Sequence, residues 1–347
     1  MFSFRTSPLP ELLDRSLRDG RVAVMQGPAA WDIESGRYTS DIFKDRGNLV
    51  EVSDWDDPSA LRGLNAVVVD VMDTGSRYGR DLLMVIDLMN TLASIESGDE
   101  YGYDLPSLYI VDHPNPAGRT VEGSMPVLSP DDSSVRAAHR HGLTIGELCH
   151  LHYSDIGARY ALHIISASAS ANTHLVMPWA IPPQEDVAGL FTPQMYPGHA
   201  LWSCTSISPG TGTCRPYELI GAPFISLADN QLPCPEGVSM RPCSWIPDSG
   251  PYAGVGCRGW QIILLPGVQY HSLLHTLQLM RHFSERYSEF RYEAGLWGML
   301  SDPVAEAWLK GDISFDIVQE SIKAEEQKWI RKAKRFCLYD DPPFRIK

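Results

Sequence analysis

The chain has 347 residues, is 44% hydrophobic and 21% charged, and carries a formal net charge of −14. That length admits two domains, or one large domain with an extension, around a sizeable globular core. The acidic balance argues against nucleic acid and anionic membranes as partners, and no run of 18 apolar residues suggests a transmembrane helix.

The first twenty residues lack the basic-then-apolar order of a secretory signal, so a cytoplasmic location is expected. The seven cysteines agree. Their count is odd and no CxxC pair occurs, so free thiols in a reducing compartment are the simplest reading.

Residues 21–25 read as a strand followed by Gln26-Gly27-Pro28, and residues 49–52 as another that ends at Ser53-Asp54. Residues 66–71 (AVVVDV) form a β-branched run without alternation, as in a strand buried on both faces. Residues 82–95 have the periodicity of an amphipathic helix. Residues 108–111 form a further apolar strand, which ends in Asp112, a Pro114-Asn115-Pro116 turn and an Arg119/Glu122 pair. Thr144 caps a helix over 145–152 with Glu147 at its third position, and residues 161–166 read as a strand. This alternation implies a mostly parallel α/β sheet over residues 1–166, with helices on both faces. No GxGxxG follows any strand, so no dinucleotide fingerprint is present and no cofactor is expected.

The second half differs. Residues 167–259 are rich in Pro, Gly and Ser, with long loops such as 206–214 (SISPGTGTC). A strand at 261–265 and helices at 271–290 and 313–336 follow. We read residues 167–347 as a smaller α+β domain that completes a cleft with the first.

Several strand ends converge on acidic or polar residues: Ser53-Asp54, Asp70 with Asp73, and Asp112 with Asn115. In an open α/β sheet, ligands sit outside the carboxyl ends of the strands. Paired carboxylates there suit glycoside hydrolysis or a magnesium-phosphate site, although turn-capping Asx residues look the same in sequence. Arg77, beside Tyr78, either holds a substrate carboxylate or pairs with Asp70 or Asp73. His141 is a candidate acid, base or hydroxyl ligand, or a plain hydrogen-bonding histidine. His271, His275 and His282 share a helix face, but only two lie at close range and no HExxH is present, so no metal is expected. The Gly210-Thr211-Gly212 loop has no following helix and is a weak phosphate signal.

Five ordered blocks carry a resemblance: residues 70–79 (DVMDTGSRYG), 111–123 (VDHPNPAGRTVEG), 141–148 (HGLTIGEL), 196–225 and 252–259 (YAGVGCRG). Through them the chain resembles the exo-β-N-acetylmuramidases of peptidoglycan recycling, which remove terminal N-acetylmuramic acid from cell-wall fragments. The resemblance implies a Rossmann-like N-terminal domain, a smaller C-terminal domain and an active-site cleft between them. The chain also departs from the family. The Pro-Glu-His-Gly motif that supplies the family's leading catalytic Glu is missing, and the strand ends in VSDWDD instead. Ser203-Cys204-Thr205-Ser206 stands for Glu-Gly-Thr-Asn, Gly210-Thr211-Gly212-Thr213 for Gly-Arg-Gly-Thr, and His113 for Arg. Gly79-Arg80-Asp81 replaces a Tyr-containing segment.

On this resemblance Glu122 is the retained catalytic carboxyl group, acting as acid or base, with Asp54 as its partner. Arg77 and Arg215 would hold an anionic group such as a lactyl carboxylate. Asp73, Tyr78, Asp112, Asn115, His141, Thr205 and Ser206 would complete the substrate site. The expected partner is a small-molecule or sugar substrate. The altered positions leave two alternatives: the same scaffold recruited to other cytoplasmic small-molecule chemistry, or a non-catalytic muropeptide-binding protein.

Overall fold

The protein is described by a computed structural model over residues 15–33, 35–98, 104–127, 135–166, 181–228 and 231–339. The N-terminal stretch read for a signal and residues 167–180 lie outside these described residues.

A short helix, α1 (Arg15–Arg18), leads into β1 (Val22–Gln26), a two-residue hairpin of β2 (Trp31–Asp32) and β3 (Arg37–Tyr38), and α2 (Thr39–Arg46). Then come β4 (Ala66–Asp70), α3 (Arg80–Ser97), β5 (Ser107–Val111), α4 (Ile145–Asp155) and β6 (Leu162–Ile165). Strands β1, β4, β5 and β6 form one parallel sheet in that order, as the strand–helix alternation predicts.

Side chains alternate between the two faces of this sheet, and both faces are covered. Ala23, Met25, Val67, Val69, Leu108 and Ile110 pack with α3 and α4, whereas Val22, Ala66, Val68, Tyr109 and Val111 pack with Leu17 and Phe43. That double burial explains why β4 carries five buried residues in a row, each fully buried valine stabilising by about 1.5–3 kcal/mol. Thr144 caps α4 as predicted, in a reciprocal box with Glu147.

The second half contains α5 (Thr192–His199), β7 (Leu219–Ala222), β8 (Val238–Trp245), β9 (Cys257–Leu264), α6 (Ser272–Arg286), α7 (Gly295–Leu300), α8 (Pro303–Lys310) and α9 (Phe315–Ala333). Its antiparallel sheet runs β7-β9-β8. A second core gathers Trp202, Ile220, Trp260, Leu277 and Phe283. Helix α9 joins both cores. Val318 and Ile322 belong to the second, while Trp329, Ile330 and Ala333 belong to the first, where the Trp329 indole N–H donates to the His141 carbonyl at 2.8 Å. Among the described residues, no helix is long and apolar enough to cross a membrane.

One predicted strand is absent. Residues 49–52 contribute only a single bridge, Leu49 to Val22, after which Val50 and Val52 pack on the first core from a loop. Side-chain bonds to nearby backbone stop the extension: the Asp54 carboxylate takes the Asp56 N–H at 3.1 Å, and Asp57 takes that of Ser59 at 2.8 Å. Helix α6 ends at Arg286, short of residue 290, with His271 as its N-cap.

Four buried imidazoles, His139 among them, are held below their ordinary value by burial and make this fold sensitive to acid. Burial lowers His152 to about 4, His199 to about 3 and His275 to about 4. Between pH 6.5 and about 4 the unfolded chain takes up protons that the folded chain excludes. Each group therefore removes about 1.4 kcal/mol of stability per pH unit as pH falls through that window. The urea midpoint is expected to drop steadily from pH 6.5 to 4, with a shallower slope in His275→Gln. A flat midpoint over this range would contradict the assignment.

Candidate active site

The ends of β1, β4 and β5 form one edge, where the predicted acidic residues fall into two kinds. Asp70, Asp112 and Asn115 are closed structural joints. Asp70 accepts from the Thr39 hydroxyl and pairs with His113 Nε2 at 2.7 Å. Asp112 takes the N–H groups of His113 and Gly146 and the hydroxyls of Thr144 and Tyr339. Asn115 donates to the Leu143 carbonyl and accepts from the Ala117 N–H, both at 2.8 Å.

Asp73 is different. It is 5% exposed, and its Oδ2 accepts from the Gly75 N–H at 3.0 Å and from His141 Nε2 at 2.7 Å. His141 Nδ1 accepts from the Leu143 N–H at 3.1 Å, which assigns the imidazole proton to Nε2 and aims it at Asp73. Asp73 Oδ1 has no partner, and neither does Thr74 Oγ1 nor Asp81 Oδ2. All three residues are at least nine-tenths buried.

The backbone is shaped to admit these oxygens. A Cβ on Gly79 would stand 2.7 Å from Asp73 Oδ1 and 3.0 Å from Thr74 Oγ1, and one on Gly27 would stand 3.1 Å from Asp81 Oδ2. A buried polar atom without a partner costs about 1–3 kcal/mol, so three around the start of one helix call for a reason. Burial pushes the Asp81 carboxyl above the usual range; Arg80 opposes the rise and the charge of Asp73 adds to it.

The C-terminal half supplies the opposite wall. The Tyr196 hydroxyl reaches the Tyr78 carbonyl at 3.4 Å, and its ring meets Tyr217 edge-on at 4.7 Å. Burial raises Tyr196, with Tyr217, Asp73, Asp186 and Tyr78 adding to the rise, so these groups lie near one another. Tyr217 sits in the left-handed region at φ 60°, a conformation that costs a non-glycine residue roughly 1–3 kcal/mol. Two bonds hold it there: its N–H donates to the Pro209 carbonyl and its carbonyl accepts from His199 Nδ1, both at 2.6 Å. His199 is braced in turn by the Tyr270 hydroxyl at 3.0 Å, which also meets His275 Nδ1 at 2.7 Å.

The other predicted site residues are placed elsewhere. Glu122 is fully buried, and its carboxylate joins the two halves of the molecule. It pairs with Arg140 and accepts from the Ser272 hydroxyl at 2.6 Å and the Leu273 N–H at 3.1 Å, at the start of α6. Asp54 stands exposed on its turn, and no hydrogen bond or ion pair joins it to Glu122. Glu122 is thus held in a buried ion pair, whereas Asp54 serves an exposed turn.

Arg77 is also committed to the fold. Its guanidinium donates to the carbonyls of Ser124, Ala137, Met299 and Leu300 and to His139 Nε2, leaving nothing for an anion. Tyr78 bonds His139 Nδ1 and the Met299 carbonyl at this same joint, and burial pushes its hydroxyl to about 12. Thr205 and Ser206 brace loops: Thr205 donates to the Trp202 carbonyl, and Ser206 donates to the Glu289 carbonyl and accepts from the Arg291 N–H. Arg215 pairs with Glu218 at 3.2 Å. The three α6-region histidines do not converge, since His271 bonds Glu326 and His275 bonds the Pro233 carbonyl. Among the described residues, no group of three or more His, Cys, Asp or Glu could hold a metal ion.

Sequence reasoning missed Thr74 and Asp81. An acid in the first turn of a helix reads as a complement to the helix dipole, so Asp81 gave no signal of its own.

Comparison with known proteins gives a consistent picture. The model of the N-terminal domain of exo-β-N-acetylmuramidase NamZ matches residues 48–182, and that of its C-terminal domain matches residues 194–339. The peptidoglycan β-N-acetylmuramidase NamZ of Bacillus subtilis (strain 168) is 26% identical over 303 residues, covering 81% of this chain and 69% of that protein. Two crystal structures of DUF1343 family proteins from Bacteroides fragilis NCTC 9343 share the fold at 16% identity. One, at 1.30 Å resolution, gives a TM-score of 0.76 over 96% of this chain and 97% of its own. The other, at 1.65 Å, gives 0.78 over 96% and 98%.

Proposed function

Because this chain belongs to the exo-β-N-acetylmuramidase NamZ family, we propose that it is a glycoside hydrolase that cleaves a terminal N-acetylmuramic acid from peptidoglycan fragments. The observation that carries the site is the set of buried, unpartnered oxygens on Asp73, Thr74 and Asp81 at the carboxyl edge of the parallel sheet.

The chemistry follows from two carboxyl groups in unequal settings. Asp81, favoured in its neutral form by burial, gives its proton to the glycosidic oxygen as the bond to the anomeric carbon breaks. Asp73, oriented by His141, serves the other face of the sugar. It either takes a proton from the attacking water or bonds to the anomeric carbon before water displaces it. Tyr196 and Tyr217 form the far wall, and the strained backbone of Tyr217 supports a role in shaping it. We assign residues 1–166 and 167–347 to the two domains that meet there. The free thiols of Cys149, Cys204, Cys214, Cys234, Cys243 and Cys257 support a cytoplasmic setting.

The test is release of N-acetylmuramic acid from a chromogenic β-N-acetylmuramide and from a natural muramyl disaccharide. Turnover of both is expected. A protein that binds the disaccharide and leaves it intact on long incubation is a binding module, and the hydrolase reading falls.

A further inference from the structure

An N-acetylmuramic acid residue differs from N-acetylglucosamine by one lactyl ether, and that ether carries a carboxylate. A carboxylate entering a site that already holds Asp73 and Asp81, in a chain of net charge −14, needs a cation beside it. A guanidinium fork is the geometry that matches a carboxylate best.

The arginines around the cleft sort by what they already hold. Arg77 is saturated by four carbonyls and a histidine, and is buried. Arg119 grips Glu147 through both terminal nitrogens. Arg140 is spent on Glu122 and on the carbonyls of Gln194 and Tyr270. Arg215 reaches Glu218, a carboxylate that also accepts from Thr192 and so anchors the α5 start. Arg80 remains. Its side chain is 68% exposed, and its one bond runs from Nε to Asp81 Oδ1 at 3.3 Å. Both terminal nitrogens are left open.

Its position suits the task. Arg80 is the first residue of the 18-residue α3, directly after Gly79, the glycine against which Asp73 Oδ1 and Thr74 Oγ1 lie. Gly79 offers no side-chain cap, so the first-turn N–H groups and the helix dipole add positive potential at the same place. The Nε contact to Asp81 Oδ1 leaves Asp81 Oδ2 without a partner. From these observations we infer that Arg80 is the specificity residue, receiving the lactyl carboxylate in its fork while Asp73 and Asp81 face the glycosidic bond. The inference rests on the site assigned above.

Direct binding separates its fate from that of the hydrolase reading. Titration calorimetry with N-acetylmuramic acid and with N-acetylglucosamine reads the preference without turnover. Wild-type protein is expected to favour N-acetylmuramic acid about tenfold or more, the scale of one charge-assisted hydrogen bond. Arg80→Gln should bind the two sugars alike, and Arg80→Lys should keep part of the preference. The exposed position of Arg80 at a helix start leaves the fold intact, which a melting curve verifies. A preference that survives in Arg80→Gln, one that collapses in Arg215→Gln instead, or none in the wild type would overturn the inference. If the preference depends on Arg80 and no glycoside is cleaved, the inference stands and the hydrolase reading fails.

Discussion

Asp81→Asn is expected to lower kcat on a muramyl disaccharide by about 10²- to 10⁴-fold, the span that a positioned proton donor contributes. The loss should be smaller on a 4-nitrophenyl glycoside, whose leaving group departs without much help from an acid. Asp73→Asn should lose a similar factor on both substrates, because its role on the opposite face does not depend on the leaving group. The pH profile adds a second readout. The proton-donating form of Asp81 is present below its raised value and is lost as pH rises through it, so the alkaline limb of kcat should lie above the ordinary carboxylate range. Neither substitution should cost much stability, since Asn can keep the acceptor oxygen that Asp73 offers to Gly75 and His141, and the Arg80 paired with Asp81 is exposed to water. Near-wild-type turnover in both variants would remove these residues from the chemistry.

Glu122→Ala is expected to behave in the opposite way, losing stability first. It leaves the Arg140 guanidinium buried without its counter-charge and strips the Ser272 hydroxyl and Leu273 N–H of their acceptor. Breaking a buried ion pair from one side costs about 3–5 kcal/mol. For a chain of this size that corresponds to a fall in Tm of about 4–7 °C. Replacing both partners, in Glu122→Leu with Arg140→Met, should recover part of the loss because no lone charge then remains. His271 and Glu326 sit in the same cluster, bonded at 2.9 Å, and Glu326 also accepts from the Gly123 N–H, so the effect reaches across the joint. A Glu122→Gln variant with wild-type Tm and abolished turnover would instead return Glu122 to the reacting centre.

These two expectations mark where sequence and structure part. The parallel sheet was legible because β4 and β5 are apolar runs, α3 has the periodicity of a helix and α4 carries a capping box. The C-terminal half was less legible. Helix α5 carries Pro193 and Pro197, β7 has only four residues, and β8 is an edge strand interrupted by Pro242, so tertiary packing decides all three. The Asp73–His141 contact joins residues 68 positions apart, and both had been singled out as candidates. What a sequence does not carry is which polar atoms find partners. Glu122 and Arg77 look reactive as letters, and are satisfied in the fold. Asp81 looks like a helix-start residue, and keeps an oxygen open.

Helix α9 has a consequence for how the protein comes into being. The face of the first core that receives Trp329, Ile330 and Ala333 is built from residues made long before them, with β6 ending at Ile165. At a synthesis rate of 5–20 residues per second, the ribosome takes roughly ten to thirty seconds to travel from the end of that sheet to the end of the helix. Through that interval apolar surface around Leu148, Leu151 and Tyr160 waits for its last neighbour. The first core is therefore completed only when the final helix emerges.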